Sequence, residues 1–151
     1  MTRDLLNIYN NFIKLTTNKK LYFYLDNQDN FSDRLKILLL HMAFYFKESK
    51  NLHDKSKLQE IYDFLFRQLE LSIREIGYGD QSINKKMKVY INIFHGILSK
   101  VHFWDEKDKN QKIDILKDFI NTNKDISYLK EYFDKFSKDL KNNTFNFHKK
   151  M

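Results

Sequence analysis

The sequence predicts an all-α fold, a single helical bundle of about six to seven helices. Two observations predict it. The 151 residues contain no proline and only three glycines, so almost nothing interrupts a periodic segment. Apolar residues also recur at three- and four-residue spacing along nearly the whole chain, the period of a helix with one buried face. A chain of this length is one domain's worth, and at that size folding hides roughly 68–70% of the unfolded surface.

The elements follow in order. Leu5, Leu6, Ile8, Tyr9, Phe12 and Ile13 give an amphipathic helix over 3–17, and "LYFYL" at 21–25 is a short aromatic connector. Ser32 or Asp33 can cap a helix running to 49. From Leu35 to Phe46 that helix is apolar on every side, which predicts the buried centre of the bundle. Asp54 opens a helix to 76 with a stripe of Leu58, Ile61, Tyr62, Leu65, Leu69 and Ile76, and Gly77 stands where a left-handed cap ends it. Asp80 or Ser82 can cap the next, to 103, with Met87, Tyr90, Ile91, Phe94, Leu98 and Val101 inward. "DEKDKNQK" reads as a solvated turn, followed by helices over 111–122 and 125–141. The helical domain thus spans 1–141, and 142–151 reads as a frayed tail.

Composition excludes several function classes. Without cysteine there is no disulfide framework, thiol nucleophile or cysteine-ligated metal. The longest apolar run, "ILLLHMAFYF" at 37–46, falls well short of the about 20 residues a bilayer helix needs. The first residues, "MTRDLLNIYNNFIKL", have neither the basic-then-apolar pattern of a secretory signal nor the acid-free character of a mitochondrial presequence. The expectation is a soluble protein. Its net charge of +7 calls for an acidic partner, yet the excess is mostly lysine and spread evenly, as on a solvated surface.

No phosphate-binding glycine loop, nucleotide fingerprint or nucleophile elbow occurs. His95 and His102 lie seven apart on one helix, but no third ligand at metal-binding spacing accompanies them, so neither metal nor cofactor is expected. His41, in the most apolar stretch, reads as a buried histidine with a satisfied ring. The segment "REIGYGDQSINKKMK" at 74–88 is different. Lys85, Lys86 and Lys88 fall near the start of a helix, where the dipole and free N–H groups are already positive, the make-up of an anion site. The alternative is a self-contained lock of Asp80 with Arg74 and Glu75, and both readings stay open.

These residues carry a resemblance. "LFRQLELSIREIGYGDQSINKKMK" at 65–88 resembles the signature of the ubiquinol–cytochrome c chaperone family, a G-x-G-D loop entering a basic helix. "NFSDRLKILLLHMAFYF" at 30–46 is similar to its upstream segment, with Arg34 and His41 in register, and "FHG" at 94–96 to a downstream one. Leu35 replaces the family's phenylalanine, Asp33 a glycine, and Ile97 an arginine. The similarity runs from about residue 5 to 105.

The resemblance implies a non-enzymatic assembly factor for newly made cytochrome b of the cytochrome bc1 complex. It works with a small partner subunit or near the ribosome, at the cytoplasmic face of the inner membrane in bacteria or in the matrix of mitochondria. A start methionine without a presequence pattern points to the bacterial case. On this reading Lys85, Lys86 and Lys88 contact the client or anionic membrane. Asp80, Arg74 and Glu75 fix the loop, and Arg34 with His41 forms a second contact region. The competing function is a nucleic-acid- or ribosome-binding helical module, whose affinity would fall steeply with salt.

Overall fold

The computed structural model describes residues 2–22, 31–50 and 53–142. These form six α-helices: α1 (Thr2–Thr16), α2 (Phe31–Ser49), α3 (Lys55–Ile76), α4 (Asp80–Val101), α5 (Lys109–Ile120) and α6 (Ser127–Lys141). Short 3-10 turns occupy Lys19–Tyr22 and Trp104–Glu106. The expected tail lies outside the described residues save for its first residue, and so does most of the aromatic connector.

α2 is the axis of the bundle, packing against α1, α4, α5 and α6. Its residues Ile37, Leu40, His41, Ala43 and Phe44 are fully buried, as expected of a helix apolar all round. Phe44 stacks on Phe133 of α6 with ring centroids 5.0 Å apart and meets Trp104 edge-on, also at 5.0 Å. α2 begins at Phe31, so Ser32 and Asp33 lie inside the helix and neither is its N-cap.

Other helix ends obey local chemistry. Asp54 caps α3 by accepting the Lys57 backbone N–H at 2.8 Å. Asp108 and Gln111 form a reciprocal capping box that starts α5 two residues before the expected 111. Gly77 ends α3 at φ 104°, and its N–H donates to the Arg74 carbonyl at 3.0 Å.

Inward faces differ from the stripes in places. Leu6, Ile13 and Ile76 are exposed at 46%, 38% and 52%, while Phe66, Ile73, Ile83 and Ile97 are buried. The expected solvated turn at 105–112 is exposed over most of its length, and the residue just before it is Trp104. It is buried, and its Nε1–H donates to Asp134 Oδ1 at 2.9 Å. Asp134 also takes Lys112 Nζ at 2.8 Å and Lys130 Nζ at 2.7 Å. Burial alone would raise its pKa, but these donors outweigh burial and hold it below the usual carboxylate range. Asp105, in the same turn, bridges Lys47 of α2 at 3.0 Å and Lys141 of α6 at 2.5 Å. The turn is therefore a clamp between the central and last helices.

Candidate functional site

The α3–α4 turn is built from a helix stop and a helix start only three residues apart. Gly77 takes the left-handed conformation that releases the chain, and Gly79, extended at φ −72° and ψ 160°, is the N-cap of α4. No side chain caps that end, so neither Asp80 nor Ser82 plays the expected role. Asp80 is instead the first helical residue, an acid in the turn where the dipole favours one.

This placement corrects the anion-site geometry. With α4 starting at Asp80, the unpaired N–H groups belong to its first turn. Lys85, Lys86 and Lys88 sit in the second and third turns, and by the 1.5 Å rise Lys85 is about 7 Å further along the axis. The lysines do not converge on the helix terminus.

The lock does form, with one member changed. Arg74 Nη1 donates to Asp80 Oδ1 at 2.5 Å, and its Nη2 reaches Glu70 Oε1 at 3.4 Å. The hydrogen bond to Asp80, reinforced by the charges of Asp80 and Glu70, raises the guanidinium pKa. Glu70 also takes Arg67 Nη1 at 2.6 Å. Glu75 is exposed and joins neither pair; Glu70 takes the place expected of it. One turn back along α3, Glu70 lies on the face that carries Arg74, which Glu75 at i+1 does not.

The three lysines separate by face. Lys85 and Lys86 line a groove of about 350 Å³ between α2 and α4, whose walls include Leu35, Leu39, Val89, Tyr90 and Ile93, with Lys36 opposite. Lys86 also lies over the exposed Tyr78 ring, Nζ 4.4 Å from its centroid, a cation–π contact that ties the turn to the groove. Lys88 is exposed and does not line the groove. Among the described residues none of the three is in an ion pair. Val89, 52% exposed, is the apolar residue most open to a visitor. Sequence periodicity found the lysines but not the groove, because its far wall comes from α2, some fifty residues away.

Arg34 and His41 part company. Arg34 is exposed and lines a second cavity, between α1, α2 and α3. His41 is wholly buried two turns further along α2. Its Nδ1–H donates to the Ile37 carbonyl at 2.8 Å, and its Nε2 accepts from the Tyr132 hydroxyl at 2.6 Å. A neutral ring satisfies both contacts. Burial, outweighing the bond to Ile37, lowers its pKa to about 4. His41 does not face a surface with Arg34; it pins α6 to α2. His95, by contrast, meets the Tyr62 hydroxyl at 3.2 Å, while His102 packs against Phe103. Among the described residues no three His, Asp or Glu side chains gather as a metal site requires.

The fold and site together define an all-α protein with a cationic, apolar-walled groove beside a locked interhelical turn. A profile of the family described as ubiquinol-cytochrome C chaperone matches residues 23–123, about two thirds of the chain. The chain belongs to the ubiquinol–cytochrome c chaperone family. The match covers α2 through α5, so it begins later than residue 5 and extends past 105. It includes the turn, both walls of the groove and Trp104, while the partners of Trp104 and Asp105 on α6 lie beyond it. No curated protein and no solved structure matches the chain. Among the described residues no helix is long and apolar enough to cross a membrane.

Proposed function

We propose that this chain is a non-catalytic assembly chaperone for ubiquinol–cytochrome c reductase, and that its client is newly made cytochrome b, held at the α2–α4 groove. Family membership supports the first part. The observation that carries the second is the pairing of an apolar groove with Lys36, Lys85 and Lys86 at its edge. A membrane subunit awaiting assembly presents apolar segments flanked by polar or acidic loops. Leu35, Leu39, Val89 and Ile93 receive the apolar part, and the lysines meet the acids. Lys88 contributes charge from outside the groove, and the Arg74–Asp80–Glu70 pairs keep the turn in register. His41 acts from the core, by holding α6 and α2 together behind the groove. Work of this kind places the protein at the membrane surface next to its client.

Lys85→Glu with Lys86→Glu tests the assignment. Both side chains stand at the surface, so the melting temperature is expected to stay within the range of a surface change. Capture of cytochrome b from gently solubilised membranes, and the level of assembled complex in a complemented deletion strain, are expected to fall severalfold. Val89→Asp is expected to do the same through the apolar wall. Full assembly with both variants overturns the groove assignment. Loss of RNA binding with client capture intact assigns the lysines to nucleic acid instead.

A further inference from the structure

We infer that the tip of the α3–α4 turn docks on an anionic lipid bilayer, with Ile76 and Tyr78 entering its surface and Lys85, Lys86 and Lys88 meeting its headgroups. The inference goes beyond the client assignment, because it rests on the turn and not on what occupies the α2–α4 groove.

From Arg74 to Ser82 every residue is exposed, so the turn stands out from the bundle. Two of these residues are large and apolar. Ile76 is 52% exposed and Tyr78 42%, whereas Ile73, one turn earlier, is wholly buried. Neither Ile76 nor Tyr78 lines the α2–α4 groove or the cavity between α1, α2 and α3. Gly77 and Gly79 flank Tyr78, and nothing lies within 4 Å of where their Cβ atoms would stand. A flat surface can therefore reach both apolar side chains. One exposed apolar residue is ordinary on a protein surface. An apolar pair on a projecting turn, with cations behind it, asks for a partner.

The cations stand at the right height. Lys85 and Lys88 lie about 7 Å and 12 Å along the α4 axis from Asp80 by helical rise. Interfacial segments bury their apolar face about 5–10 Å into the boundary between headgroups and acyl chains. With the start of α4 directed at the bilayer, Ile76 reaches that depth and the lysines stand among the phosphates. Lys86 Nζ, 4.4 Å from the centroid of the Tyr78 ring, already couples a cation to an amphipathic aromatic ring, and such rings settle at headgroup level. Among the described residues none of the three lysines is in an ion pair. Within 74–88 the acids are Glu75 and Asp80, and Asp80 is already taken by Arg74 at 2.5 Å.

Other macromolecules fit this tip less well. A stable protein interface hides about 800 Å² on each side, and two side chains on a projecting turn offer far less. A nucleic acid would use the lysines and leave Ile76 wet. A bilayer accepts the apolar pair without a matching pocket, and its negative surface favours each nearby lysine by about fivefold in affinity.

The test is cosedimentation of the full chain with vesicles of phosphatidylglycerol and phosphatidylcholine in equal parts. Binding is expected, and it is expected to fall by about tenfold or more in pure phosphatidylcholine or at high salt. Ile76→Ser with Tyr78→Ser, both at exposed positions, is expected to weaken it by about tenfold or more at unchanged helicity. Tyr78→Trp adds an optical probe, since Trp104 is the chain's only tryptophan and is 1% exposed. Its emission is expected to shift to the blue on vesicles and to be quenched by brominated acyl chains.

Absence of cosedimentation, binding unchanged by the double serine variant, or unmoved emission from Tyr78→Trp overturns the inference. So does a double serine variant that keeps its vesicle binding but loses capture of detergent-solubilised cytochrome b, which assigns the tip to a protein interface. Val89→Asp, in the groove and outside the turn, is expected to lose client capture and keep vesicle binding. That variant keeps failure here distinct from failure of the client groove.

Discussion

α2 and the α3–α4 turn are built on opposite terms. From Leu39 to Phe46 every residue of α2 is buried, and the helix is held by neighbours from four other helices. At the turn Gly77, Tyr78, Gly79 and Asp80 are all exposed, and the conformation is held by one left-handed glycine and the Arg74 pairs. The first region is rigid because it is packed. The second keeps its shape through a few local bonds and leaves its charges available. A protein that grasps another chain needs both: a frame that does not yield, and a surface not spent on its own folding.

The largest effect is expected in the frame. Phe44→Ala removes a fully buried ring stacked between α2 and α6, and is expected to cost about 3–5 kcal/mol in denaturant unfolding. A loss below 1 kcal/mol would show that α2 is less tightly packed than the turn comparison requires.

Next comes the buried histidine. The unfolded His41 titrates near 6.5 and the folded one at about 4, so between these values the unfolded chain holds the extra proton. The stability gained from a neutral His41 is present in full above pH 6.5 and lost as pH falls toward 4. The difference is about 3 kcal/mol over that window. Urea unfolding at successive pH values measures it, and His41→Gln is expected to flatten this part of the slope. An unchanged slope in that variant would mean other groups cause the acid loss.

The turn is expected to respond less. Gly77→Ala meets no neighbour within 4 Å, so its cost is the left-handed backbone alone, about 1–2 kcal/mol. A larger loss would show the turn to be coupled to the core. Smallest is a gain: Gly96 lies exposed inside α4 with open space where a Cβ would go, and Gly96→Ala is expected to stabilise by up to about 1 kcal/mol. If the stabilised variant captures less cytochrome b, that bare stretch of α4 is in contact with the client.

Much of this was legible from local chemistry. Asp54 begins α3 and Gly77 ends it by rules that involve only their near neighbours, and both act as expected. The start of α4 was not legible. Asp80, Ser82 and Gly79 are all acceptable caps, and the choice followed from where Gly77 released the chain and where Arg74 could reach Asp80. Leu6, Ile13 and Ile76 belong to apolar stripes yet stay exposed, because a stripe gives the mean direction of a face and not its edges.

The sequence by itself determined the helices, the burial of α2 and the concentration of lysines after the turn, since each depends on residue type and spacing along one segment. Tertiary structure decided which lysines face a groove, that His41 is an internal pin rather than a contact, and that Arg34 opens onto a separate cavity. Those outcomes depend on walls supplied by residues distant in the chain. Helix periodicity tells which residues share a face; only the packing of one helix against another settles what that face meets.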